Sequence, residues 1–236
     1  MRAFFAAMSF MTALPTPQGG DFRKAPAFFP LVGAILGAIL WAISLLLDLF
    51  WGKEFSALGV VLGLTVLTRG LHLDGLADSA DALLGHGERE KVLEIMRDPH
   101  IGTFGTLAIV GVILAKFVLL LDLRRDWRAL VLFPALGRMA PLLPMYSLPY
   151  LRGEGKATPF LPMGKGTLGV GLLFSFSLSL LLLWPMGALV FGTILLYGLA
   201  VSLYLKGKLG GMTGDLLGAT VETAEVVSLM VLGALR

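Results

Sequence analysis

The chain has no cysteine, only three histidines and few charges, and each scarcity removes a class of chemistry. Without cysteine there is no disulfide, no thiolate metal site and no cysteine nucleophile. The histidines stand in different settings: His72 ahead of an acidic run, His86 in a loop between two glycines, and His100 after Asp98-Pro99. A zinc site is therefore not expected. Charged residues make up 15% of the chain, against about 25% in an ordinary soluble domain. With 56% hydrophobic residues and a mean hydropathy of +0.84, the composition is that of an integral membrane protein, and its first partner is the lipid bilayer. The net charge of +3 is spread over short loops with no basic stripe among aromatics, which excludes nucleic acid as a partner. The apolar run in residues 1 to 12 lacks a small-residue cleavage site, so a removed signal peptide is not expected.

What is abundant is long apolar runs. They predict an all-α, polytopic helical bundle in one domain, residues 1–236, with about seven transmembrane helices after an amphipathic amino-terminal helix. The opening segment carries Phe4, Phe5, Met8, Phe10 and Met11 on one face before Leu14-Pro15-Thr16-Pro17 stops it. Spans follow at about 30–50, 55–71, 104–123, 128–146, 168–184, 186–205 and 216–235, the fifth and sixth joined as a hairpin at Trp184-Pro185. Span two runs directly into the acidic run. Gly33 and Gly37 have the spacing that lets membrane helices approach closely. By parity, the polar stretch 72–103 and the connections 147–167 and 206–215 open on one face. Twelve Lys and Arg lie on that face and five on the other, which places it, with the amino terminus, in the cytoplasm.

The polar chemistry concentrates in His72–Gly105. If its first residues are helical, Asp74, Asp78 and Asp81 fall within about 60° of one another at roughly 100° per residue. Carboxylates so stacked repel unless a cation lies among them or some are protonated. Oxygen donors at this density suit Mg²⁺ or Mn²⁺ better than zinc. A second cluster lies in Gly210–Glu225, where Asp215, Glu222 and Glu225 share a helical face and four glycines, Gly214 among them, leave room for a ligand or a neighbouring helix. Acids inside an apolar run are expected to face the bundle interior. Arg138, midway along span four, needs an anion: one of these acids or a substrate phosphate. Lys116 is expected to snorkel and carry no chemistry. Arg152, Lys156 and Lys165 stand among glycines in a connection that resembles a phosphate site but lacks the nucleotide P-loop frame. His100 is either a base, a metal ligand or a turn cap.

The motifs HLDGLADSADALLG, REKVLEIMRDPHIGTFG and GGMTGDLLGATVETAE, with MTALPTP and FPLVGAILG nearer the amino terminus, resemble the cobalamin synthase family, the adenosylcobinamide-GDP ribazoletransferases, over nearly the whole length. The resemblance implies a multi-pass inner-membrane enzyme that joins adenosylcobinamide-GDP to α-ribazole, or its 5′-phosphate, and releases GMP in a Mg²⁺-dependent late stage of coenzyme B12 assembly. For that reaction Asp74, Asp78, Asp81 and Asp215 are the expected cation ligands, with Mn²⁺ as the substitute. Asp78, Asp81, His100 and Glu222 are the expected catalytic groups, and Arg138, Arg152, Lys156 and Gly214 the substrate contacts. Phe104 and Phe160 are candidate corrin contacts that the sequence does not separate from packing. A homo-oligomer is left open.

Two other readings compete. A CDP-alcohol phosphotransferase has the pattern DxxDGxxAR…GxxxDxxxD. Asp78 and Asp81 match its first pair, but Ala82 and Ala219 stand where a glycine and the last aspartate belong. An ion-coupled secondary transporter places its intramembrane acids near the midplane, whereas these gather at one face.

Overall fold

A straight helix over Phe29–Leu67 would run about 58 Å at 1.5 Å per residue, roughly twice the hydrocarbon thickness of a bilayer. The chain does not build one. In the computed structural model, which describes residues 1–17, 19–85 and 88–236, this stretch (α2) breaks at Gly52, whose φ of 81° and ψ of −173° only glycine adopts readily. Its arms, 29–51 and 53–67, fold back on each other. The Ser56 hydroxyl donates to the Ser44 carbonyl at 2.9 Å, and Gly63 lies against Leu40.

Before α2 lies α1 (Arg2–Met11); after it come α3 (Leu71–Leu84), α4 (Arg89–Ile95), α5 (Thr103–Leu123), α6 (Trp127–Met139), α7 (Leu142–Ser147), α8 (Lys165–Leu183), α9 (Gly187–Leu209) and α10 (Gly214–Ala234). Six segments are long and apolar enough to cross a membrane. The first of them folds back at Gly52 into two arms, where the apolar runs predict two separate spans. Among the described residues there is no strand, only one parallel bridge between Tyr150 and Met212.

The α6–α7 segment is the axis of the bundle: 89% of its most apolar stretch is buried, against 17% in α5 and in α8, which are left to face lipid. The first arm of α2 packs antiparallel to α6 with no side chain between them. A Cβ on Gly33 would overlap the Pro134 carbonyl oxygen, and one on Gly37 that of Leu130.

Two expectations are corrected. Span two does not continue into the acidic run. At its end the Arg69 N–H bonds to the Val66 carbonyl at 3.1 Å and that of Gly70 to Thr65 at 2.9 Å, a Schellman stop. Arg69 (φ 55°) and Gly70 (φ 65°) then turn the chain into α3. The strain at Arg69 is held by its own side chain, which donates to the carbonyls of Ser9 and Phe10 at 3.1 and 3.3 Å and so closes the last turn of α1. The face α1 turns inward is Ala3, Ala6, Ala7, Met8 and Met11. Phe4 and Phe5 are only partly buried, because alanines let the helix lie close.

Gly37→Val forces α2 from α6 and is expected to cost roughly 1–3 kcal/mol, the usual penalty of overpacking. Gly111, where an added methyl would meet nothing within 4 Å, accepts alanine without loss. Thermal unfolding of the detergent-solubilised variants checks both.

Candidate active site

Glycine also decides where α3 meets α10. A Cβ at Gly75 would fall 2.7 Å from the Asp215 carbonyl oxygen, and one at Gly218 3.3 Å from that of His72. The two backbones therefore cross in contact at the amino-terminal ends of both helices, and Asp74 and Asp78 on α3 come to the side of Asp215. The connection after α7 is laid over this crossing. The Leu151 N–H donates to the Met212 carbonyl and the Met212 N–H to that of Pro149, each at 2.9 Å. From this anchored base Arg152 reaches Asp215 Oδ2 at 2.7 Å and the Met96 carbonyl at 2.9 Å. Lys156 stands 3.4 Å from Asp74.

Asp78, between these two pairs, has no side-chain cation bonded to it among the described residues. Partial burial, then the charges of Asp215 and Asp74, push its carboxyl up to about 6, against the weaker opposing pull of Arg152 and Lys156. Beside the crossing runs an apolar cavity of ≈ 50 Å³ bounded by Phe10, Phe29, Phe160 and Val221, with Gly214, Asp215 and Lys156 on its polar side.

The structure separates the remaining candidates from this cluster. Asp81 turns to α5: its oxygens accept the Gly102 N–H at 2.7 Å and the Gly105 N–H at 2.8 Å. It is the anion at that helix's amino terminus, bound where unsatisfied N–H groups and the helix dipole favour negative charge. Gly102 and Gly105 have no alternative there, since a Cβ on either would overlap the carboxylate. Sequence reasoning misses this pair, although two glycines three apart at a helix start are a usable signal. His100 is 88% exposed and paired with Asp98 at 2.6 Å in a turn. Phe104 is exposed, while Phe160 is buried in edge contact with Phe10 and Phe29. His86 lies outside the described residues.

Glu222 and Arg138 are buried in the interior. Lys116 on α5, expected to snorkel, is instead buried; it pairs with Glu222 at 2.6 Å and with Glu225. Arg138 pairs with Glu225 and points a second nitrogen at His72 Nδ1, 3.4 Å away. Because a guanidinium only donates, that imidazole nitrogen is the acceptor. Two cations and two anions thus cancel inside the bundle, joining α5, α6 and α10 to α3. Glu222, expected in catalysis, and Arg138, expected at the substrate, thus each have a buried counter-ion and stand apart from the α3–α10 cluster.

Fold and site define a multi-pass helical membrane protein in which Asp74, Asp78 and Asp215 meet Arg152 and Lys156 at one end of the bundle. Residues 3–233 match the family model of cobalamin-5-phosphate synthase, and the chain belongs to that family. It is a transferase acting on phosphate groups, within cobalamin biosynthesis. It is similar to the adenosylcobinamide-GDP ribazoletransferase of Klebsiella pneumoniae strain 342, at 40% identity covering 98% of this chain and 99% of that protein. The protein of the same name from Desulfitobacterium hafniense is 39% identical over 98% and 96% of the two chains, and that of Escherichia coli strain K12 36% identical over 98% and 99%. No solved structure matches the chain.

Two outcomes test this arrangement. Lys116→Met leaves Glu222 without its counter-ion in the interior and is expected to cost roughly 3–5 kcal/mol; removing Glu222 as well, as Lys116→Met/Glu222→Leu, restores charge balance and most of the loss, read by thermal unfolding. Because the folded Asp78 carboxyl lies above its ordinary 3.8, its contribution to stability is present below 3.8 and lost as pH rises through about 6. In chelator at pH 7.5, Asp78→Asn should therefore unfold at a higher temperature than the parent, with the gap narrowing as pH falls toward 5.

Proposed function

We propose that this chain joins adenosylcobinamide-GDP to α-ribazole or its 5′-phosphate and releases GMP, using Mg²⁺, or Mn²⁺ in its place, at the α3–α10 crossing. The observation that carries the reading is the meeting of Asp74, Asp78 and Asp215 with Arg152 and Lys156 at one end of the bundle. The relatives' printed names supply the substrates.

The donor set fits the cation. Every accessible donor is a carboxylate oxygen, and Mg²⁺ binds through one or two carboxylates, keeping waters and taking phosphate oxygens for the rest. Among the described residues no three His, Cys, Asp or Glu side chains are grouped to hold a metal ion, so the protein would supply no more than one or two of the ligands. Asp74 and Asp215 are the residues that would hold it, and a bound Mg²⁺ would neutralise the phosphate oxygens and the departing GMP.

The protein's own groups do the rest. Arg152 and Lys156 bind the pyrophosphate oxygens, the arginine through its planar fork. Asp78, whose carboxyl titrates near 6, is mostly ionised at neutral pH yet basic enough to accept the proton of the attacking ribazole hydroxyl. That hydroxyl oxygen bonds to the corrinoid-side phosphorus as the bond to the GMP oxygen breaks. We assign this face to the cytoplasm on the excess of Lys and Arg it carries, twelve against five, and the protein to the inner membrane.

With purified protein, adenosylcobinamide-GDP, α-ribazole and Mg²⁺, GMP release is the measurement. Asp78→Asn should lower kcat by a factor of about 10² or more, the usual size of general-base catalysis, with the KM for the GDP substrate little changed. Parental turnover by folded Asp78→Asn would remove this carboxylate from the reaction, and no GMP from the parent would remove the reaction itself.

A further inference from the structure

The accessible carboxylates are not equivalent. Asp215 has the guanidinium of Arg152 at 2.7 Å, with both side chains largely buried at 13% and 19% exposure. Asp74 has the ammonium of Lys156 at 3.4 Å, with both side chains more than half exposed. The two cations come from a single glycine-containing loop, while Asp78 between them has none among the described residues. Arg152 keeps a buried Nε with no partner, so its fork is not fully used where it lies. Its base is fixed, because Pro149 and Leu151 are bonded to the Met212 backbone. Just beyond Arg152 a methyl on Gly153 would meet nothing within 4 Å, whereas one on Gly155, nearer Lys156, would overlap the Tyr150 hydroxyl.

We propose that Arg152 and Lys156 are stand-ins for the divalent cation: they neutralise Asp215 and Asp74 in its absence, are displaced when it binds, and so become free for the substrate phosphates. The inference rests on the ligand assignment proposed above. It goes beyond that assignment by giving the two residues successive partners and by fixing an order, cation before pyrophosphate. Positive charge is then never left among the carboxylates in excess, nor the carboxylates left bare. Displacement also couples the two ligands, since whatever frees the guanidinium aids the anion, and the anion in turn aids the cation.

The sign of one substitution separates this from a fixed substrate-binding role. A residue that meets phosphate without touching the ligand carboxylates opposes the cation only through its screened charge; a stand-in bonded to the ligand competes with it directly. Mn²⁺ binding to the full-length protein in detergent, without substrate, is read from the electron paramagnetic resonance signal of free Mn²⁺. Arg152→Gln should bind Mn²⁺ on the order of tenfold more tightly than the parent, the scale of a typical coupling between two sites, while its KM for adenosylcobinamide-GDP rises. Arg152→Lys, which keeps the charge, should stay near the parent. Lys156→Gln, at an exposed position that does not endanger folding, should tighten Mn²⁺ binding by a smaller factor, because its pair is screened by solvent.

Equal or weaker Mn²⁺ binding by folded Arg152→Gln and by Lys156→Gln overturns the proposal. Asp215→Asn tells the two failures apart. If it loses Mn²⁺ while the Arg152 and Lys156 variants bind as the parent does, the ligand assignment stands and the exchange falls. If it binds Mn²⁺ like the parent, the assignment fails and the exchange with it.

Discussion

The contact on which the site depends is between two backbones. Where α3 crosses α10, Gly75 rests on the main chain of Asp215 and Gly218 on that of His72, with no Cβ on either glycine to hold the helices apart. A side chain at Gly75 would push α3 outward, and Asp78 would leave the field of Asp215 that now helps raise its carboxyl. The same crossing brings Asp74 under Lys156 and Asp215 under Arg152. It is close because small residues bring membrane helices together where apolar burial against lipid gives no preference between partners.

Close contact alone does not fix orientation, and the charges inside the bundle do. Lys116, Arg138, Glu222 and Glu225 come from three helices and are all buried. Taking each from water is costly, and only mutual pairing offsets the cost. A rotation of α5, α6 or α10 about its own axis would separate a pair, so the network selects one rotational setting. Through His72, which accepts from Arg138, that setting extends to α3. The interior charges therefore act on the site by holding its helix.

Much of this is legible in the sequence because it depends on period or parity. Apolar length marks the spans, the count of spans puts three polar connections on one face, and a 100° step puts the aspartates of α3 on one side. The tertiary partners are not legible. Periodicity says which way Glu222 faces, inward, but not that Lys116, 106 residues away in sequence, meets it there; hence the sequence alone points one to catalysis and the other to snorkelling. Asp81 shows the same limit from the other side. Its phase on α3 matches that of Asp78, yet α5 begins beside it, and two unsatisfied backbone N–H groups bind it first. The turn at Arg69 is hidden because a left-handed residue is expected to be glycine, and here an arginine is held in that conformation by the α1 carbonyls.

The division of acids between the two regions follows from solvation. Glu222 and Glu225 lie deep, where a group must be permanently paired to be tolerated, and a permanently paired group cannot change partners during a reaction. Asp74, Asp78 and Asp215 lie at the bundle's end: the exposed Asp74–Lys156 pair is weak enough to open, Asp78 can gain or lose a proton near pH 6, and Asp215, largely buried with Arg152, borders the same cluster. Chemistry on a pyrophosphate needs groups that exchange partners as charge moves from substrate to leaving group. On the proposed function the groups that would do so are the carboxylates at the bundle's end, while the buried ones between α5, α6 and α10 hold the helices in place.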